Sequence, residues 1–270
     1  MQFIVEGYPA YAYSGGRPYA PSAQAAVLVH GAAFDHSVWQ WQSRYLAHHG
    51  HAVLALDLPA HGRSPGAIRT SVEALARWVL AFLDTASVER AALVGHSLGS
   101  LVALELALRH PTRVSRLALL GTSVPMPVGD AFLAAARDDS PAALDMEAVW
   151  GHARDVLLAT SAVPGASLLG GSRRLNGRSR RGVLAADLGA CAAYRPADES
   201  LRSLGVPTLV VAGTRDQMTP WKAGKSVADR IPGSRFVSLD AGHSMMAEAP
   251  RATLVALREF LPGDGQAGKG

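Results

Sequence analysis

The feature that most constrains the fold of this sequence is a serine between two glycines, at a predicted junction of strand and helix. Residues 95–99 read Gly-His-Ser-Leu-Gly, between a short apolar run (residues 91–94) and a helical pattern (residues 100–106). Such a tight, strained turn holds the hydroxyl of Ser97 clear of the sheet. A Cβ at either glycine would clash with the neighbouring strand and helix. The start of the helix offers free N–H groups, so the turn favours a nucleophilic serine beside a site for negative charge.

A serine nucleophile needs a base, and the base needs an acid that orients it. Sheets that carry this turn present the three residues in the chain order Ser, Asp or Glu, His. Two later apolar runs each lead into a turn, one ending at Asp216 and the other at His243. Because parallel strands end at the same edge of a sheet, we expect both side chains beside Ser97. Ser97, Asp216 and His243 are therefore the predicted catalytic residues, whereas Asp240 is too near His243 in sequence to orient it.

A further strand, residues 25–29, ends in a His-Gly turn. The backbone N–H of Ala32 in this turn and that of Leu98 are the predicted donors to an oxyanion. His30 is expected to brace this loop or to line the pocket.

Five ordered motifs of this chain resemble the α/β-hydrolase superfamily, over nearly its whole length. They are the His-Gly turn, the Gly-x-Ser-x-Gly turn, the two turns that end in Asp216 and His243, and residues 57–64, Asp-Leu-Pro-Ala-His-Gly-Arg-Ser. Ala60 departs from the glycine that is usual there. The chain is most similar to small serine esterases, meta-cleavage-product hydrolases and cofactor-free haloperoxidases. The resemblance implies a mostly parallel, eight-stranded, doubly wound α/β sheet with a helical lid, and it implies no cofactor and no metal.

The alternation of strands and helices supports this fold class but breaks between residues 121 and 197. We expect a core formed by residues 1–121 and 198–262, a helical lid insertion at residues 122–197, and a disordered tail at residues 263–270. Within the insertion, helices are predicted at residues 130–137 and 144–158. Residues near the motifs or in the lid would suit an apolar acyl pocket. The predicted pocket residues are His30, Ala33, Met126, Trp150, Met218 and Met245.

Composition excludes several classes. A formal net charge of +4 over 270 residues does not argue for nucleic acid. Five arginines among residues 173–181 favour a solvated lid surface, with recognition of an anionic substrate as the alternative. No apolar run is long enough for a membrane span, and no secretory signal is evident at residues 1–10. Cys191 has no partner for a disulfide, which fits a cytoplasmic location.

These patterns predict a serine hydrolase that cleaves a carboxylic ester or lactone of a small-molecule acyl substrate through an acyl-enzyme. A C–C bond hydrolase for meta-cleavage products and a thioesterase are the enzymatic alternatives. A small-ligand receptor on the same fold is the non-enzymatic one. The sequence is compatible with a monomer or a homodimer.

Overall fold

The centre of the molecule is one twisted sheet, seen in a computed structural model that describes residues 1–21, 24–156 and 167–261. The strands in these residues are β1 (Gln2–Val5), β2 (Tyr8–Tyr13), β3 (Ala25–Val29), β4 (Ala52–Leu56), β5 (Ala91–His96), β6 (Val114–Leu120), β7 (Thr208–Gly213) and β8 (Arg235–Leu239). Their spatial order is β1-β2-β4-β3-β5-β6-β7-β8. β2 runs antiparallel to β1 and β4, and the other neighbouring strands are parallel. The predicted eight-stranded, mostly parallel sheet is confirmed.

Helices cover both faces of this sheet. The described α-helices are α1 (Gln40–His48), α2 (Val72–Thr85), α3 (Leu98–Arg109), α4 (Asp130–Arg137), α5 (Pro141–Trp150), α6 (Leu168–Asn176), α7 (Val183–Ala193), α8 (Asp198–Arg202), α9 (Trp221–Arg230), α10 (Met245–Glu248) and α11 (Pro250–Phe260). The start of α2 follows from its sequence, since Ser71 Oγ accepts a hydrogen bond from the N–H of Ala74 at 3.2 Å.

The strands are apolar at nearly every position because both faces of the sheet are buried. Successive side chains of a strand point to opposite faces. In β3, Val27 and Val29 join the core formed with α2 and α3, whereas Ala26 and Leu28 join the core formed with α1 and α11. Complete burial of each such Val or Leu side chain contributes about 1.5–3 kcal/mol. The continuous apolar runs are therefore those of a doubly wound sheet.

Between β6 and β7 the described residues form α4 to α8, and we call residues 122–197, which include α4 to α7, the helical insertion. α4 has the predicted bounds, but α5 begins at Pro141 and ends at Trp150, earlier than predicted. The helix was expected to continue to residue 158, and residues 157 and 158 lie outside the described part. α6 and α7 were not predicted, and in α6 the run Gly170-Gly171-Ser172 weakens the helical pattern. The domain boundaries at residues 121, 197 and 262 stay predictions.

The tail predicted at residues 263–270 lies outside the described residues. In the described ranges, no helix is long and apolar enough to cross a membrane. Cys191 is buried in α7, and burial raises the pKa of its thiol.

Candidate active site

Ser97 lies in a strained turn between β5 and α3. Its backbone angles are φ 53° and ψ −120°, in the region that L-residues rarely occupy. The flanking glycines make this turn possible. A Cβ at Gly95 would lie 2.1 Å from the carbonyl oxygen of Gly99, and a Cβ at Gly99 would lie 2.3 Å from that of Val29. Both contacts are with backbone, so no side-chain movement relieves them.

Asp216 and His243 form a buried pair at the ends of β7 and β8. His243 Nδ1–H donates to Asp216 Oδ2 at 2.8 Å, and Thr219 Oγ1–H donates to the same oxygen at 2.8 Å. The other oxygen, Oδ1, accepts from the N–H groups of Met218 and Thr219, each at 2.8 Å. Four donors therefore hold this carboxylate ionised and in one orientation.

Charge within the pair shifts both pKa values. Burial alone would raise the pKa of Asp216, but the charge and hydrogen bond of His243 and the donors of Thr219 lower it overall. Burial would likewise lower the pKa of His243, but the charge and hydrogen bond of Asp216 raise it above the ordinary imidazole value of 6.5. The arrangement thus stabilises a positively charged His243 beside a negatively charged Asp216.

Ser97 and His243 open on one cavity of about 370 Å³. Ala32 also lines this cavity, and Leu98 begins α3 directly after Ser97. Among the described residues, the N–H groups of Ala32 and Leu98 donate to no acceptor. The structure therefore brings together Ser97, His243 and both predicted oxyanion donors, with Asp216 behind the imidazole.

His96 is a supporting residue that the sequence analysis did not identify. Its Nε2–H donates to the carbonyl oxygen of His243 at 3.0 Å, and the two rings are 4.7 Å apart. Burial lowers the pKa of His96 to about 3, so this ring stays neutral. The position of His96 in the sequence could have indicated this role, because a residue beside Ser97 at the end of β5 lies next to the turns that follow the neighbouring strands.

Three of the six predicted pocket residues line the cavity and three do not. Met126, Trp150 and Met218 are in the wall. His30, Ala33 and Met245 are not among the residues of this wall, which corrects the prediction for them.

His30 points into the protein, where Nδ1–H donates to the carbonyl of Gly31 at 2.8 Å and Nε2 accepts from the N–H of Leu58 at 3.1 Å. It therefore braces the loop, which was the other interpretation, and burial lowers its pKa to about 4. Ala33 packs against the helical insertion, and its N–H is directed to Asp187. Met245 is fully buried in the core formed with α1 and α11.

Two buried acids of the helical insertion were missed. Asp187, on α7, accepts from the N–H of Ala33 and from His61 Nε2, both at 2.8 Å. It thereby ties the insertion to the loop that carries Ala32. Glu147, on α5, lines the cavity itself. Both acids lie in largely apolar helices. An acidic residue among apolar ones in a helix could have indicated these two positions from the sequence.

Three of the five arginines of residues 173–181 pair with carboxylates of the protein. Arg173 pairs with Asp145, Arg178 with Asp35 and Arg181 with Asp139. None of these arginines lines the cavity of Ser97. This arrangement favours the interpretation as a structural surface over recognition of an anionic substrate.

One cluster has the residue types of a metal site, since ligand atoms of Asp35, His36 and Asp57 lie within 4.8 Å of one another. Asp57 Oδ1, however, accepts from both the N–H and Nδ1–H of His36 at 2.7 Å, and Oδ2 accepts from the N–H of Arg63 at 2.8 Å. Its lone pairs are directed to these donors, so the cluster fits the role of fastening the loop after β4.

Comparison with known proteins identifies the family. A family model described as alpha/beta hydrolase fold matches residues 26–146, and one described as TAP-like protein matches residues 185–264. A pimeloyl-(acyl-carrier protein) methyl ester esterase of Neisseria meningitidis serogroup A is 33% identical over 226 residues, 78% of this chain and 68% of that protein. A provisionally named non-heme haloperoxidase of Mycobacterium phage D29 is 31% identical over 256 residues, 88% of this chain and 91% of that protein.

The solved structures agree. The enol-lactonase from Burkholderia xenovorans LB400 is 27% identical, with a TM-score of 0.84 over 97% of this chain and 99% of that one. The chain belongs to the α/β-hydrolase family. It is an enzyme of the hydrolase class, as its esterase and lactonase relatives are.

Proposed function

We propose that this protein is a serine hydrolase that cleaves a carboxylic ester or a lactone. The observation that carries the proposal is the 2.8 Å hydrogen bond between His243 and Asp216, with the imidazole opening on the same cavity as Ser97 and Ala32. A base oriented by an acid, beside a serine in a strained turn, is the arrangement that activates a hydroxyl for acyl transfer.

In the proposed reaction, Ser97 Oγ attacks the carbonyl carbon of the ester while His243 Nε2 takes the hydroxyl proton. Asp216 stabilises the resulting imidazolium. The N–H groups of Ala32 and Leu98 donate to the negative oxygen of the tetrahedral intermediate, each contributing about 3 kcal/mol to the lowering of the barrier. His243 then protonates the leaving alkoxide, which leaves an acyl-enzyme. Water, deprotonated by His243, releases the acid and restores Ser97.

Two observations support an ester or lactone over other bonds. The relatives described above include a methyl ester esterase and an enol-lactonase. The cavity wall is mainly apolar, with Phe132, Leu188 and Met218 among its members, and it suits an acyl chain of small to medium length. Ester cleavage also needs no group beyond those that the mechanism uses.

Labelling by a fluorophosphonate probe, with turnover of p-nitrophenyl esters in parallel, tests the proposal. The wild type should label and turn over, and Ser97→Ala should do neither. Ser203→Ala is the matched control, because Ser203 is exposed at the end of α8, away from the cavity. A wild type that neither labels nor hydrolyses esters would refute the acyl-transfer mechanism and leave a ligand-binding role. Turnover of a vinylogous diketone with faster rates than any ester would instead support C–C hydrolysis.

A further inference from the structure

We propose that Glu147 determines specificity, by accepting a hydrogen bond from a hydroxyl, amide or ammonium group on the substrate. The proposal rests on the proposed ester or lactone hydrolysis and names the class of substrate for that site.

Glu147 is placed to meet a bound molecule. Its side chain belongs to α5, is only 4% exposed, and lines the cavity that contains Ser97 and His243. No other Asp or Glu, and no Lys or Arg, is among the described residues of this wall. A carboxyl in a wall that is otherwise mainly apolar is a strong determinant of which substrate groups are accepted.

The two oxygens of Glu147 have different surroundings. Oε2 accepts from Ser172 Oγ–H at 3.0 Å and also from Asn176 Nδ2–H, both on α6. No donor from the described residues reaches Oε1. The α6 contacts therefore fix the carboxyl in place and leave Oε1 available to a molecule in the cavity.

Another buried glutamate shows what complete pairing looks like in this protein. Glu105 is equally buried, at 4% exposure, but lies away from the cavity. Its Oε1 accepts from Arg109 Nε at 3.0 Å, and its Oε2 accepts from the hydroxyl of Tyr194 at 2.8 Å. Glu147 differs from Glu105 in that no donor from the described residues reaches its second oxygen, and an unpaired buried acceptor is costly.

The missing donor also affects the charge of Glu147. Burial raises its pKa to about 7, although Ser172, Asn176 and the charge of His243 oppose that rise. A substrate N–H or O–H that donates to Oε1 would supply the missing interaction and stabilise the ionised form. A substrate carboxylate at the same place would be repelled, and the described cavity wall holds no Lys or Arg to offset that repulsion.

Isosteric p-nitrophenyl esters provide the test: butyrate, 3-hydroxypropionate and 3-aminopropionate, which end in a methyl, a hydroxyl and an ammonium group. Homologous sets with longer chains place the end group at different depths. For the best chain length, kcat/KM of the wild type should be about tenfold higher for the ester whose acyl chain ends in an ammonium group than for the one that ends in a methyl group. This factor corresponds to one charged hydrogen bond. Glu147→Gln should remove most of that preference, through a higher KM for the ester that ends in the ammonium group.

Asp145→Asn is the matched control, because Asp145 lies on the same helix but is exposed and pairs with Arg173. It should leave every ratio unchanged. If Glu147→Gln does not fold, Glu147→Asp keeps the charge one methylene further back and should shift the preference to longer substrates. Equal losses on all three esters, or no preference in the wild type at any length, would overturn the proposal. Hydrolysis of the ester whose acyl chain ends in a methyl group tests the proposed function separately, because it should require Ser97 whatever the role of Glu147.

Discussion

Replacement of Asp216 by Asn should remove nearly all activity, because it reverses one hydrogen bond. Oδ1 of Asp216 accepts from the N–H groups of Met218 and Thr219, and Oδ2 accepts from His243 Nδ1–H. In the Asp216→Asn variant, the amide oxygen must stay on the two backbone donors. An amide NH₂ in the position of Oδ1 would face the N–H groups of Met218 and Thr219, and none of these donors would have an acceptor. The NH₂ is therefore directed to Nδ1 of His243.

This orientation selects the wrong tautomer of His243. Nδ1 must accept from the NH₂, so the ring proton moves to Nε2, the atom that has to take the proton of Ser97. The variant also lacks the negative charge that stabilises the imidazolium. Together these losses should lower kcat by about 10³- to 10⁴-fold, or about 4–5.5 kcal/mol in the barrier. The fold should persist, because the two backbone contacts of the side chain are retained.

The assay is hydrolysis of a p-nitrophenyl ester at pH 7.5, with the rate of fluorophosphonate labelling as a second readout and thermal unfolding as a check on the fold. Asp240→Asn is the matched control, since Asp240 is an exposed acid three residues before His243 and pairs with Arg215. It should retain the wild-type rate within about threefold, the effect expected of an exposed pair. An Asp216→Asn variant within about tenfold of the wild type would refute the tautomer mechanism.

Three further outcomes are expected. Asp187→Asn removes the ionised partner of His61 and should lower the free energy of unfolding by about 3 kcal/mol at pH 6 in urea titrations. Asp187 raises the pKa of His61 in the folded protein. The ion pair therefore stabilises the fold fully below the pKa that His61 has in the unfolded chain, and this contribution is lost as pH rises through its pKa in the folded protein. A destabilisation of Asp187→Asn that grows with pH would contradict this expectation. Gly99→Ala should destabilise by about 3 kcal/mol or more in thermal unfolding, since its Cβ meets backbone at 2.3 Å, and an unchanged Tm would contradict this. The pH profile of kcat/KM should rise along a limb above pH 6.5, where His243 loses its proton; a limb below that value would show that Asp216 does not raise this pKa.

The sequence predicted the sheet and the placement of its turns well, because these depend on local patterns. Apolar runs of strand length mark β3, β5, β6 and β7, and each motif follows directly on a strand. Parallel strands bring their carboxyl ends to one edge whatever the connecting segments do. Ser97 and His243 could therefore be placed together without knowledge of the helices between them.

Pocket residues could not be assigned in the same way, because direction within a turn is not a local property. Met218 and Met245 follow β7 and β8 at similar distances, yet Met218 lines the cavity and Met245 is buried in the core. The difference arises from α10, which packs against α11 with its methionines buried, and a four-residue helix has too short a pattern to reveal its buried face. Polarity alone also misplaced His30, which uses one ring nitrogen on Gly31 and the other on Leu58, in the segment after β4.

The buried acids of the helical insertion carry the strongest unused signal in the sequence. α7 reads Val-Leu-Ala-Ala-Asp-Leu-Gly-Ala-Cys-Ala-Ala, a helix with one charge. Burying an ionised carboxylate costs several kcal/mol unless donors reach it, so Asp187 predicts a partner elsewhere in the chain. That partner, His61, is 126 residues away, and spacing cannot identify it. Since Asp187 also accepts from Ala33, beside the proposed oxyanion donor of Ala32, α7 and the oxyanion loop must keep their relative positions. Changes in α7 that disturb Asp187 should therefore lower kcat more than they raise KM, because the oxyanion forms only during the reaction.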